Sequence, residues 1–238
     1  MKIKIFIVRV LIILFWFIIA GTGSAFADFI SINNSSFEIH DPYTKAISID
    51  NLNQNIYTEV YAPYFVPPGS REWIDSIVGW DFTGNAGTAK FEDSYYPSGI
   101  PDGMNVAFSN GGTIFQTLTA TLSPNTTYEL TAYVGYSSNP NACPGYSIEL
   151  LAGGNVIASD NNSLYPAGLF MPSSITYTAS LTDPNLGKSL QIMLISNGVQ
   201  TNFDNVSLKA TPVPEPATLF LFGTGLTGLF CYRKKLKN

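Results

Sequence analysis

The chain has 238 residues, a formal net charge of −5 and an aromatic content of 13%. Between residues 28 and 211 lie 16 of the 17 acidic residues but only five of the 12 Lys and Arg, so this segment carries a net charge of −11. An acidic segment argues against binding to nucleic acid or to anionic membranes, which need basic patches. Its length suffices for one domain with a full core.

The N-terminus has the pattern of a secretory signal peptide. The basic region, the apolar region and the small residues of the cleavage site are, in order, Lys2, Lys4 and Arg9, residues 10–20, and Ala25-Phe26-Ala27. We predict a signal peptide over residues 1–27, which signal peptidase removes before Asp28. An uncleaved anchor is the alternative, because Ile3–Ile7 prolongs the apolar stretch.

Residues 28–208 alternate between apolar and polar side chains as half-buried strands do. In the clearest case, four apolar residues share one face of a strand: Tyr128, Leu130, Ala132 and Val134. Further strands are predicted over 114–118, 146–150, 156–158, 175–177, 190–195 and 203–208. Many short strands separated by turn residues predict an all-β fold, an antiparallel β-sandwich or jelly roll.

The stretch 39–100 is less regular and is rich in proline and aromatic residues. We interpret it as strands interrupted by long loops, where binding sites usually lie. A glycan site needs aromatic faces for stacking and polar side chains for sugar hydroxyls. The candidates for stacking are Trp73, Tyr95 and Tyr96, with Tyr64 in reserve, and the polar candidates are Asp93 and Gln116. Because neighbouring strand residues point to opposite faces, only one of the two adjacent tyrosines can be exposed.

Catalytic patterns are scarce. His40 is the only histidine, and no nucleophile elbow accompanies it, so a Ser-His-Asp or Cys-His arrangement is not favoured. One histidine and the only cysteine within residues 28–211, Cys143, offer too few ligands for a histidine-based zinc site. Carboxylates are plentiful, which leaves a carboxylate-dependent glycan hydrolase open, although their spacing singles out no pair. We therefore predict a protein that is not an enzyme.

The C-terminus combines a Pro-rich linker over 209–216, an uncharged apolar run over 217–232 and a basic tail over 233–238. Sixteen residues of helix span about 24 Å against a hydrocarbon core of about 30 Å, so the run predicts a short transmembrane helix. The cations after it favour a cytoplasmic C-terminus. A buried helix of a soluble domain is the alternative.

The motif Val213-Pro214-Glu215-Pro216, the glycine-bearing apolar run and the final Arg233-Lys234-Lys235 together resemble the PEP-CTERM sorting signal of exopolysaccharide-producing bacteria. The resemblance implies that Pro214, Glu215 and Pro216 are read by exosortase, a membrane protease-transpeptidase that removes the helix. It also implies an exported protein, anchored by its C-terminal helix until processing and then placed at the cell surface or outside it.

Several short motifs resemble the galactose-binding-like jelly roll of carbohydrate-binding modules. They are Asn34-Ser35-Ser36-Phe37-Glu38, Val78-Gly79-Trp80, Pro101-Asp102-Gly103, Phe115-Gln116-Thr117-Leu118, Thr127-Tyr128-Glu129-Leu130 and Phe203-Asp204-Asn205-Val206. The resemblance implies a structural calcium between the first and last strands, with Glu38 and Asp204 at the matching positions, and carboxylate oxygens suit that ion. The alternative is that Glu38 caps a turn and Asp204 is a solvated strand residue.

Three functions remain open. The favoured one is an exported, non-catalytic surface or biofilm-matrix protein that binds extracellular polysaccharide or a surface partner. The second is a structural spacer without a ligand, and the third is the carboxylate-dependent glycan hydrolase.

Overall fold

The computed structural model describes residues 26–39, 46–49, 55–56, 71–74, 76–91, 96–136, 145–166, 168–198, 200–213, 223–225 and 227–228. It contains two compact units: Asp28–Ala210, and Met1–Ala27 together with Thr211–Asn238. In the second unit residues 223–225 and 227–228 are helical. Among the described residues, no helix has the length and apolar character needed to cross a membrane. Residues 1–25 of the predicted signal peptide and most of the predicted 217–232 helix lie outside the described residues.

Twelve strands occur in the part of the chain that the structure describes. They are β1 (Asp28–Ile30), β2 (Ala46–Ile49), β3 (Asn55–Ile56), β4 (Arg71–Ile74), β5 (Asp81–Lys90), β6 (Asn105–Thr121), β7 (Thr126–Gly135), β8 (Tyr146–Ala152), β9 (Asn155–Asn161), β10 (Phe170–Ala179), β11 (Ser189–Ser196) and β12 (Thr201–Pro212). The predicted all-β class is confirmed. The predicted alternation in β7 is also present, since its four apolar residues are all buried.

The long strand β6 belongs to both layers of the sandwich. Its first half pairs with β12, where Phe203 lies opposite Ala107, and its second half pairs with β11, where Met193 lies opposite Phe115. One layer therefore contains β10, β7, β12, β6, β5, β4, β2 and β3 in that order, with β1 also paired to β12. The other contains β9, β8, β11 and the second half of β6.

Glycines allow β5 and β6 to pass together from one layer to the other. The register between the two strands shifts between Thr83 and Asn85, where Gly84 has a φ of +76°. On β6, a Cβ at Gly112 would overlap the carbonyl oxygen of Thr83. The close approach of the two backbones at this corner therefore requires glycine.

Two hydrophobic clusters lie on opposite faces of the first layer. The main core fills the sandwich and contains Phe37, Trp80, Ala107 and Phe203 among its buried residues. A smaller cluster contains Ala89, Val106 and Phe108, with Phe91, Ile100 and Phe170 packed against it. Because Ala107 alternates with Val106 and Phe108 along β6, the smaller cluster occupies the outer face of the layer. We call it the outer cluster.

Candidate functional site

A pocket of about 310 Å³ lies beside the outer cluster. Its lining includes Lys90, Phe91, Tyr96, Ile100, Gly103 and Met104. The lining residues come from the end of β5 and from the segment that connects β5 to β6. The pocket thus lies where the connecting segment covers the outer face of the sheet.

Tyr96 forms a buried wall of this pocket. Only 2% of the residue is exposed, and its ring lies 5.6 Å from that of Phe91 and 4.6 Å from that of Phe170, measured between centroids. The hydroxyl oxygen accepts a hydrogen bond from the side-chain amide of Asn202 on β12. Burial raises the pKa of Tyr96, while the bond from Asn202 lowers it by less. The hydroxyl is therefore neutral at physiological pH.

Asp204 is a fully buried carboxyl two residues further along β12. It accepts hydrogen bonds from the backbone N–H of Asp102 at 2.9 Å and of Asn205 at 2.7 Å. Burial raises the pKa of Asp204 to about 8, the two N–H donors oppose this shift, and the negative charges of Asp102 and Glu38 add to it. Asp204 is consequently protonated and uncharged at neutral pH. Its partner Asp102 precedes Gly103, which lines the pocket.

Residues 102–105 form a turn whose first residue is bonded to Asp204 and whose last residues are bonded to Glu38. Its carboxylate accepts hydrogen bonds from the backbone N–H of Met104 at 2.9 Å and from the backbone and side-chain N–H of Asn105 at 2.7 and 2.8 Å. Gly103 has a φ of +63°, and a Cβ there would overlap the Glu38 carboxyl group. The Glu38 side chain and the 102–105 turn are therefore closely fitted to each other.

The calcium prediction concerns the same two carboxyl groups. The structure brings Glu38 and Asp204 close enough for the charge of one to act on the other. Their oxygens, however, face backbone and amide N–H donors, which compete with a cation. In the described part of the chain, no group of three or more acidic, histidine or cysteine side chains is arranged to hold a metal. A calcium ion at this position stays a prediction.

The predicted sugar-binding residues are not brought together among the described side chains. Gln116 is 7% exposed and bonds to the backbone of Asn33 and Gly79, in the main sandwich. Tyr96 is buried and lines the pocket. Trp73 lies on β4, but its side chain is outside the description, as are Tyr64, Asp93, Tyr95 and the sorting residues Pro214, Glu215 and Pro216. The sugar site therefore stays a prediction.

Asn202 was not among the site residues that the sequence predicted. It lies opposite Phe108 in the register of β12 and β6, so it faces the outer cluster, and only 1% of it is exposed. Asn202 and Asp204 alternate around the core residue Phe203, a pattern that predicts a solvent face. Only the covering of that face by the 96–104 segment makes them buried.

The fold and this pocket together define an all-β domain with a small, aromatic-walled site beside a buried acid. A model of the HpiC1 cyclase family matches residues 28–209, and the chain therefore belongs to the HpiC1-like cyclase family. A model of the PEP-CTERM protein-sorting motif matches residues 212–235, which confirms the predicted sorting signal. This motif indicates an exported, surface-sorted protein and implies processing by exosortase.

Solved structures agree with the family assignment. A cyclase from Fischerella sp. TAU is 28% identical, with a TM-score of 0.62 over 80% of this chain and 100% of the other. The same organism's cyclase in complex with 4-(1H-indol-3-yl)butan-2-one is 29% identical, with a TM-score of 0.60 over 79% of this chain and 100% of the other.

Two further comparisons add little. A CBM22-1 xylan-binding domain from Paenibacillus barcinonensis is 14% identical, with a TM-score of 0.39 over 56% of this chain and 86% of the domain. A likeness at this level carries no argument about binding. A comparison with curated protein sequences gives no significant match.

The family assignment bears on the prediction of a non-enzyme. Because the family and its solved structures are cyclases, a catalytic function is an alternative to that prediction.

Proposed function

We propose that this chain is an exported member of the cyclase family that takes one small aromatic molecule, of the indole type, into the pocket beside Tyr96. Asp204 then donates a proton that starts a cyclisation. The observation that carries this proposal is the fully buried carboxyl of Asp204, which accepts a hydrogen bond from the backbone N–H of Asp102, one residue before Gly103 of the pocket.

The pocket suits a single small ligand. Its volume of about 310 Å³ lies at the lower end of the range for small-molecule sites, which is about 300–1,000 Å³. Phe91, Tyr96 and Ile100 form part of its lining, and an aromatic ligand can pack against them edge to face or offset. The indole ketone bound to the Fischerella cyclase is a molecule of this kind.

The acid has the protonation state that the chemistry needs. A pKa of about 8 keeps the Asp204 proton in place at neutral pH, yet near enough to neutrality to be transferred. A cyclisation is an isomerisation, so the proton added to an alkene carbon of the substrate is balanced by the proton that the cyclised cation later returns to Asp204. No other reactant is consumed.

Polysaccharide binding, the function that the sequence favours, remains the competing hypothesis. A polysaccharide needs an open groove or a platform, and among the described candidates Tyr96 is buried and Gln116 is engaged in backbone contacts. Export and sorting are common to both hypotheses.

Calorimetric titration of the full-length protein with 4-(1H-indol-3-yl)butan-2-one tests the proposed site. We expect saturable binding that Ile100→Trp abolishes by filling the pocket, whereas Val156→Trp, at a site that is 52% exposed on β9, leaves binding unchanged. Absence of binding in the unmodified protein would refute the proposal. Retardation in electrophoresis through the producer's polysaccharide, without indole binding, would favour the competing hypothesis.

Catalysis needs its own assay. Incubation with a 3-alkenylindole should yield a product of unchanged mass and altered chromatographic retention. Asp204→Asn should remove this product while the ketone still binds. Equal turnover by the variant would contradict the role of Asp204 as the acid.

A further inference from the structure

Phe170 packs against Tyr96 from outside the pocket. Its ring centroid lies 4.6 Å from that of Tyr96, at an interplanar angle of 42°. Tyr96 lines the pocket, whereas Phe170 is not among the lining residues in the described part of the chain. Phe170 therefore supports the Tyr96 wall on a side that a ligand in the pocket does not occupy.

The Phe170 side chain reaches Tyr96 across a neighbouring strand. Phe170 is the first residue of β10, which pairs with β7, and β7 in turn lies beside β12. Because Asn202 of β12 is bonded to the Tyr96 hydroxyl, the Phe170 ring has to extend over β7 to touch Tyr96. The residue of β7 that lies opposite Phe170 is Gly135.

Gly135 leaves the room that this ring needs. A Cβ at position 135 would lie 2.6 Å from Cε1 of Phe170, 2.7 Å from Cζ and 2.8 Å from Cδ1. Carbon atoms in contact keep about 3.5–4.0 Å apart, so any other residue at position 135 would displace the ring. The φ of Gly135 is not in the positive region that favours glycine. The close approach of the Phe170 ring, rather than the backbone conformation, is thus what a glycine permits here.

The support from Phe170 differs from that of the other neighbouring ring. Phe91 lies 5.6 Å from Tyr96 between centroids and itself lines the pocket, so it belongs to the wall. Phe170 lies behind the wall, and its removal would leave a space into which the Tyr96 ring can move. Buried side chains respond to such a space by partial collapse, which changes the shape of the site.

We infer that Phe170 and Gly135 together set the upper size limit of the ligand, through the position of Tyr96. Phe170 is a positioning residue, and Gly135 is the residue that allows it to reach Tyr96. The pocket of about 310 Å³ then accepts an aromatic system of two fused rings and disfavours one of three. This inference rests on the proposed function and specifies which residues limit the ligand of the same pocket.

The test compares two probes that differ in one ring. Calorimetry on the full-length protein gives the dissociation constants of 4-(1H-indol-3-yl)butan-2-one and of its benzo-fused analogue, in which a third aromatic ring is fused to the indole. We expect the unmodified protein to prefer the smaller ketone. Phe170→Ala should shift the ratio of the two constants by about ten-fold or more towards the larger ketone, since even one methylene group has an effect of that order in a close-fitting apolar pocket.

Gly135→Ala tests the same support from the other strand. The new methyl group displaces the Phe170 ring, so the affinity for the smaller ketone should fall. Adding Phe170→Leu should recover part of that affinity, because leucine lacks the Cε1 and Cζ atoms that the methyl group meets. Such a recovery is the mark of two residues that act through their mutual contact.

Tyr177→Ala is the matched control. It removes an aromatic side chain from the same strand, but Tyr177 packs against the main core. This variant should lose stability in urea and leave the ratio of the two constants as it is. Circular dichroism checks that each variant is folded, and if Phe170→Ala is not, Phe170→Leu should give a smaller shift in the same direction.

Failure of the size limit and failure of the pocket give different results. If the smaller ketone binds and Phe170→Ala shifts the ratio no more than Tyr177→Ala does, the inference about Phe170 is overturned and the proposed pocket stands. Equal affinity of the unmodified protein for both ketones would overturn it as well, because no size limit would exist. If the smaller ketone does not bind the unmodified protein, the proposed function itself fails.

Discussion

The buried carboxyl of Asp204 should make the stability of the domain depend on pH in a defined direction. Its pKa of about 8 in the folded state lies above the ordinary value of 3.8. Between these two values the folded state keeps the proton that the unfolded state has lost. The contribution of Asp204 to stability is therefore complete below about pH 4, decreases as the pH rises, and is lost once the pH passes about 8.

The magnitude of this pH dependence follows from the difference between the folded and unfolded pKa values of Asp204. Each unit of pKa difference corresponds to about 1.4 kcal/mol, so between pH 5 and pH 8 Asp204 alone should lower the free energy of unfolding by about 4 kcal/mol. Asp204→Asn removes this dependence. The variant loses an acceptor for one of the two N–H groups, at a cost of about 1–3 kcal/mol that does not vary with pH.

The assay is urea-induced unfolding of the full-length protein at several pH values between 5 and 8, at constant ionic strength and in a chelator. Tryptophan fluorescence reports the transition, since one of the three tryptophans, Trp80, is buried against Phe37 with a centroid distance of 5.4 Å. Relative to Asp204→Asn, the unmodified protein should lose about 4 kcal/mol of stability between pH 5 and pH 8. At pH 8 it should be the less stable of the two.

Asp160 offers a matched control. Partial burial raises the pKa of Asp160, but the hydroxyls of Ser173, Tyr146 and Ser163 lower it by more. Its contribution is lost only as the pH falls through the acid range, so Asp160→Asn should show a constant difference from pH 5 to 8. A constant difference for Asp204→Asn as well would refute the reasoning about the buried acid.

Four further outcomes are expected. Gly112→Ala should lower the free energy of unfolding by about 3 kcal/mol or more, because the new methyl group overlaps the Thr83 carbonyl; denaturant titration measures this. Gly103→Ala should cost about 2 kcal/mol more than Gly99→Ala, since both glycines have positive φ but only Gly103 faces the Glu38 carboxylate. If calcium binds at the predicted carboxylates, a chelator should lower the midpoint of thermal unfolding, and an unchanged midpoint would exclude the ion. Intact mass of the protein from its native host should lack the residues after the Pro-Glu-Pro motif, whereas retention of the apolar run would contradict processing.

The alternation of apolar and polar residues made β7, β8, β10 and β11 predictable, because each of these strands buries one face in the sandwich. This alternation does not predict β5, because its sequence, Asp81–Lys90, contains two glycines and few apolar residues. That strand owes its position to pairing with β6, and the corner at Gly84 and Gly112 depends on contacts between backbones, which leave no apolar pattern in the sequence.

The candidate site was harder to predict for a related reason. Glu38 and Asp204 could be selected by resemblance, but the burial of Asp204 could not, because a carboxyl in a strand is usually solvated. Asn205, with a φ of +45°, interrupts the alternation, so that Phe203 and Val206 both lie in the main core although they are three residues apart. Tyr96 could be selected as an aromatic residue in a loop, whereas its contact with Asn202 joins residues 106 positions apart.

The outer cluster contains polar groups that a purely apolar cluster would not. An uncharged carboxyl and a tyrosine hydroxyl are costly to bury unless they are hydrogen-bonded, and here both are. The main core already has the buried aromatic and aliphatic residues that a sandwich of this size needs. Strand β12 nevertheless places Asn202 and Asp204 on the face that the 96–104 segment covers. Apolar replacement of Asp204 would leave the N–H groups of Asp102 and Asn205 without this acceptor, so the carboxyl stabilises the 102–105 turn whether or not a ligand binds. The proposed function adds a second role, that of an acid, and Asp204→Asn separates the two, because it keeps one acceptor and removes the proton.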